Sequence, residues 1–201
     1  MPTALAVDAS TERTEFALYA LRLLGPAAET AIPEFTQMAS DPSNPVTYER
    51  GTRMLMLMTP ASNAAISNVL SSAQPPVRLN LLRMLSMQSD RQTIHYLLPL
   101  LRRCLADPDE EIAISAVYCI NSLIPLDPAL ALPLLAEATS HPTATVRMAA
   151  LAGMRNVDML DLPLPPRIPQ LLNDPDLKVR IHATNTLLRI APQALTNGPP
   201  P

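Results

Sequence analysis

The side chains that could do chemistry in this chain are few and scattered. Its three histidines, His95, His141 and His182, are neither paired four apart nor followed by Glu, so the helical His and Glu spacing that clamps a metal is missing. The densest acidic group, Asp107, Asp109, Glu110 and Glu111, could in principle gather a cation. Acids at that place in a turn also cap free N–H groups and favour the positive end of a helix dipole, and that is the expected role. Cys104 and Cys119 sit beside Leu105 and Ile120 and read as small core residues in a reducing compartment. No Gly-rich phosphate loop or nucleophile elbow occurs. The expectation is therefore no catalytic residue, no metal and no cofactor.

What remains is recognition. Arg50, Arg53 and Arg83, with Tyr19 and Tyr118, would offer guanidinium forks and aromatic area to an acidic or extended segment. His182, Asn185 and Arg189 would extend that surface toward the end of the chain. A solvated helix face is the competing reading of each.

The elements that would carry these residues are written out by a repeat of about 33 residues. Its clearest copies are Asp107 to Pro125, His141 to Val157 and Asp174 to Pro192. Arg13, Thr47, Val77, Ile112, Val146 and Val179 form one column. Four residues later come Ala17, Gly51, Leu81, Ala116, Ala150 and Ala183, mostly small, as close helix packing requires. Eight after the anchor stand Leu21, Leu55, Leu85, Ile120, Met154 and Leu187, all apolar. This periodicity predicts a helix in each copy with a buried stripe.

Pro33, Pro99, Pro133 and Pro166 each lie eight residues before Asp41, Asp107, His141 and Asp174. They mark a preceding helix that starts or bends there, because an interior Pro costs about 3 kcal/mol. In the second unit Ser62 to Ser72 does this without the Pro. Aromatic content is 3% and no apolar run alternates with period two, so no strand is expected. The fold class expected is all-α, a right-handed α-α superhelix of about six helical hairpins. Residues 1–195 would form one repeat domain with an incomplete first unit, Glu12 to Leu24 being its second helix, and residues 196–201 a disordered tail.

Phase along the second helices places the third and sixth residues past each anchor outward: Phe16 and Tyr19, Arg50 and Arg53, Asn80 and Arg83, Ser115 and Tyr118, Ala149 and Ala152, His182 and Asn185. Among the methionines, Met54 and Met58 fall on the buried side, and Met56 and Met87 outside it.

These residues resemble the HEAT-repeat family. The likeness rests on Asp174-Pro175-Asp176, Val179-Arg180, Ala183 and Leu187, on Val146-Arg147, Ala150 and Met154, and on Val77-Arg78. Leu24 to Ala28 followed by Ala31-Ile32-Pro33 is similar to bacterial HEAT-like proteins, including those first described around phycobilisome lyases. The resemblance implies a non-enzymatic scaffold that binds another protein through the face of the second helices. An accessory or regulatory subunit of an enzyme is the alternative it allows, and a nucleic-acid binder a further one. It also implies a ladder of turn Asp and second-helix Arg between units, for which only Asp174 with Arg180 keeps both partners; His141 replaces the Asp before Arg147.

Composition restricts the partner. Fifteen basic against 18 acidic residues, one Lys and no Trp give no pull toward nucleic acid or anionic membrane. No run of 18 apolar residues occurs, so a cytoplasmic chain is expected. Leu187, Leu188 and Ile190 have no following unit to cover them unless Pro192 to Leu195 folds back. Self-association through an uncapped repeat end, or continuation in a longer protein, follows as an expectation.

Overall fold

The computed structural model describes residues 19–20, 23–72, 74–87, 91–157 and 163–196. Among these, eleven α-helices and two short 3-10 segments form, and no strand. The chain divides into two compact units, Met1–Leu100 and Leu101–Pro201.

In the first unit α1 (Ile32–Ser40) pairs with α2 (Pro45–Leu57), and α3 (Asn63–Ser72) with α4 (Pro75–Leu85). The 3-10 turn Gly25–Ala31 leads into α1. The turn between α1 and α2 is built by side chains: Asp41 accepts from the Ser43 N–H, and Asn44 caps α2 through the N–H groups of Val46 and Thr47. Pro45, and Pro75 with Pro76, sit in first turns, where a missing N–H costs nothing. Gly51 lets α2 lie on α1: a Cβ there would stand 2.5 Å from the Ala39 nitrogen. Helix α1 packs against α3, and α2 against α4, first helices on first and second on second. The Ser62 hydroxyl donates to the Leu55 carbonyl, tying the start of α3 to α2.

Helix α5 (Arg91–Leu105) contains the division between the units. The second unit continues with α6 (Glu110–Leu123), α7 (Pro128–Ala138), α8 (Ala144–Met154), α9 (Arg167–Gln170) with the 3-10 turn Leu171–Asn173, α10 (Leu177–Ile190) and α11 (Gln193–Thr196). Helix α8 packs against α6 on one side and α10 on the other. Asp109 and Asp176 cap α6 and α10 by accepting backbone N–H groups. Asp107, His141 and Asp174 each accept the N–H two residues on, so His141 Nδ1 performs the turn-closing work of the Asp it replaces.

The repeat columns are the core. Val77, Ile112, Val146 and Val179 are fully buried, as are Leu81, Ala116, Ala150 and Ala183, and Leu55, Ile120, Met154 and Leu187; only Thr47 is half-buried. Arg13, Ala17, Leu21, most of the segment from Glu12 to Leu24, and residues 197–201 lie outside the described residues. Pro33 and Pro166 fall at helix starts, whereas Pro99 and Pro133 stand within helices. Pro133 is exposed, and so is Ala129, whose carbonyl would otherwise accept the N–H that Pro133 lacks.

Three expectations are corrected. Asn80 is buried rather than outward, its carboxamide oxygen accepting from Arg83 Nη2 at 3.0 Å. Met56 is buried and Met58 only half so, while Met87 is exposed as expected. The ladder partner of Asp174 is Arg147, from the preceding pair, at 2.7 Å. Arg180 instead donates to the backbone carbonyls of Asp174 and Pro175. Cys104 and Cys119 are buried. Residues 193–196 do return to α10 as α11.

Candidate functional site: the second-helix face

The eight residues singled out from sequence fall into two groups, one in each unit. In the first unit Tyr19, Arg53 and Arg83 are exposed and Arg50 is half-buried. Arg83 is held by its bond to Asn80. The rest, Tyr118, His182, Asn185 and Arg189, lie on α6 and α10 of the second unit. Tyr118, Asn185 and Arg189 are exposed, and His182 is half-buried with Nδ1 shielded from water and without a hydrogen-bond partner.

In the second unit α6, α8 and α10 lie side by side and their outward residues enclose a shallow hollow of about 540 Å³. It is lined by Tyr118 and Asn121 of α6, by Ala149, Ala152, Gly153, Arg155 and Asn156 in and just after α8, and by Arg189 of α10. The floor is small because α8 carries Ala149 and Ala152 at the outward places where α6 carries Ser115 and Tyr118 and α10 carries His182 and Asn185. A Cβ on Gly153 would come within 1.8 Å of the Asn121 carboxamide oxygen, so the missing side chain is what allows Asn121 to lie across α8. That oxygen is buried and accepts no hydrogen bond. An unsatisfied acceptor of this kind costs about 1 to 3 kcal/mol until a donor arrives.

The walls are cationic. Arg189 donates through Nε to the Arg155 carbonyl at 2.6 Å, fixing its guanidinium against the end of α8. No carboxylate lines the hollow. Tyr118 is 60% exposed and presents a ring with a hydroxyl at the rim. Guanidinium groups, an aromatic ring and free amide groups together suit carboxylates and exposed peptide backbone.

Of the residues lining the hollow, the sequence places Tyr118, Arg189, Ala149 and Ala152 on the outward face and does not single out Arg155, Asn121 or Asn156. Those three lie nine or ten residues past their anchors, where a helix ends and the simple outward phase no longer applies. Arg155 is the C-cap of α8, and a cation at that place is itself a signal of a helix end. A second hollow of about 350 Å³ lies among the turns, between Asp107, Glu137 and His141. Glu137 is committed there to a surface pair with Arg102 at 2.8 Å. Among the described residues no group of three or more His, Cys, Asp or Glu gathers as a metal site. None of their helices is long and apolar enough to cross a membrane.

Residues 63–155 match the family model of HEAT repeats. A solved structure of a designed armadillo repeat protein in complex with the peptide (KR)4 is similar in fold, with a TM-score of 0.50 at 16% identity over 94% of this chain and 97% of that one. No curated protein matches the chain. The matched stretch runs from α3 to the end of α8, and α10 repeats the same columns in the same register. Residues 63–155 are thus similar to HEAT repeats, and the fold is that of an α-solenoid.

Proposed function

We propose that this chain is a non-enzymatic scaffold that holds an acidic, extended segment of another protein on its second-helix face. The observation that carries this reading is the hollow of the second unit, where Arg155, Arg189 and Tyr118 border a floor of small residues and no carboxylate intrudes. Arg155 and Arg189 would bind side-chain carboxylates, so charge sets the partner class. The designed armadillo protein holds a peptide of Lys and Arg; the cations here favour the opposite sign. Each charge-assisted hydrogen bond contributes about 1.5 to 3 kcal/mol.

The test is affinity capture from cell extract, with mass spectrometry of what is retained, using the wild-type chain beside a Tyr118→Ala/Arg155→Glu/Arg189→Glu variant. The expected result is one or more proteins with acidic segments held by the former and lost by the latter, at equal thermal stability. Equal retention by both would remove the hollow as the binding surface. Retention that nuclease abolishes would favour a nucleic-acid partner.

A further inference from the structure

The hollow of the second unit lies toward the C-terminal ends of α6, α8 and α10, at Asn121, Arg155 and Arg189. Helix ends of this polarity ordinarily repel anions, because their last carbonyls stand unpaired at the negative end of the dipole. At α8 those carbonyls are taken. The Gly153 and Met154 carbonyls accept the N–H groups of Asn156 and Val157, each at 3.0 Å, and the Arg155 carbonyl accepts Arg189 Nε at 2.6 Å.

The side chains around that end are donors. Arg189 spends Nε and, among the described residues, keeps both terminal nitrogens, while Arg155, Asn156 and the Tyr118 hydroxyl make no side-chain hydrogen bond there. No carboxylate lines the hollow to neutralise the two guanidinium groups. They also share one place, since Arg189 Nε lies against the backbone of Arg155 itself. Along an extended segment, side chains on one side recur about 7 Å apart, so two carboxylates would reach this place one at a time. A phosphoryl monoester meets both cations at once: it carries three acceptor oxygens and about −1.5 to −2 charge, against the two oxygens and single charge of a carboxylate.

We propose that the acidic group held here is a phosphoryl monoester on a side chain of the partner segment, gripped by Arg155 and Arg189 with Asn156 beside them. The inference rests on the reading of the hollow as the binding surface and narrows its ligand from acidic residues at large to a phosphorylated one. Bidentate guanidinium bonds to its oxygens fix the group, and the small floor of Ala149, Ala152 and Gly153 lets the backbone that carries it come close. Binding is then switched by addition or removal of the phosphoryl group on the partner, with no change in this chain.

Fluorescence anisotropy of the full chain with labelled Gly-Ala peptides tests it, the peptides bearing a central phosphoserine, a central Glu, or Glu at two alternate positions. The phosphoserine peptide should bind at least about tenfold tighter than either Glu peptide, and inorganic phosphate should displace it. Arg155→Gln should remove that preference, as should Asn156→Asp, which adds a carboxylate at an exposed position; both should leave thermal unfolding unchanged. In capture from extract, phosphatase treatment beforehand should strip the retained protein from the wild-type chain. Glu peptides bound as tightly as the phosphoserine peptide, or a captured protein that phosphatase leaves in place, would overturn the phosphoryl group and leave the acidic segment standing. Inorganic phosphate bound without the phosphoserine peptide would assign the hollow to the free ion and overturn its attachment to a partner. Failure of every peptide to bind would remove the hollow itself.

Discussion

The guanidinium of Arg147 and the carboxylate of Asp174 meet at 2.7 Å with side chains only 9% and 5% exposed, joining α8 to the turn that precedes α10. The same guanidinium donates to the carbonyls of His141 and Pro142, and the same carboxylate accepts the Asp176 N–H. One ion pair thus ties two successive interhelical turns together. Its worth lies in orientation, because desolvating both charges offsets much of their attraction.

Removing one partner should therefore cost far more than removing both. Arg147→Met leaves a buried carboxylate without its cation and should lower unfolding stability by about 3 to 5 kcal/mol. Arg147→Met/Asp174→Asn should recover a substantial part of that loss, since the neutral amide keeps an acceptor for the Asp176 N–H. Chemical denaturation of wild type, both single variants and the double variant checks this cycle; equal losses in the Arg147 single and the double would contradict it.

Acid should act on the same pair. Burial works to raise the Asp174 pKa, but the hydrogen bond from Arg147, the Asp176 N–H and the charges of Arg147 and Arg167 more than offset it, holding the group below its ordinary value. A carboxylate depressed in the folded state contributes stability that is fully present above its unfolded pKa, about 3.9, and lost as pH falls through the folded value. The melting temperature should thus fall below about pH 4, and less steeply in Asp174→Asn. Identical acid profiles for the two proteins would show that other carboxylates carry the effect.

The two buried glycines should respond differently to a methyl group. At Gly51 the new Cβ would meet the Ala39 nitrogen at 2.5 Å, the Met38 Cβ at 2.7 Å and the Phe35 carbonyl oxygen at 2.8 Å, mostly main chain that cannot swing aside. Gly51→Ala should destabilise by about 1 to 3 kcal/mol despite the gain in helix propensity. At Gly153 every close neighbour is the Asn121 side chain, which can rotate. Gly153→Ala should cost less and should push the carboxamide into the hollow, so binding suffers more than folding. Paired melting and binding measurements separate the two.

The columns were legible because they repeat: six copies of one pattern overdetermine which residue faces inward, and even the replacement of Asp by His141 keeps its turn bond. What the pattern could not give was anything set by one repeat alone. Asn80 faces inward because Arg83 and Met84 on its own helix offer it polar company, a local exchange that phase does not encode. The partner of Asp174 lies 27 residues away rather than six, since Arg147 spends Nη1 on its own turn and Nη2 on the following one, while Arg180 donates to the carbonyls of its own turn. The hollow likewise depends on Arg155 continuing past the end of α8, where helical phase stops counting.

Two sets of arginines are candidates for the proposed binding surface, one in each unit. In the first unit Arg83 donates to Asn80 and Arg50 is half-buried, much as Arg189 donates to the Arg155 carbonyl and Arg155 is half-buried in the second. In the second unit Arg155 and Arg189 border a concave floor of Ala149, Ala152 and Gly153 that a backbone can approach closely. Reversing Arg155 and Arg189 to Glu should weaken a captured acidic partner at least about tenfold, roughly 1.4 kcal/mol. Reversing Arg50, Arg53 and Arg83 together should weaken it less, by loss of long-range attraction alone, an effect that added salt would erase. Isothermal titration of both variants at low and high ionic strength decides between them. A larger, salt-resistant loss in the first-unit variant would move the site to Arg50, Arg53 and Arg83.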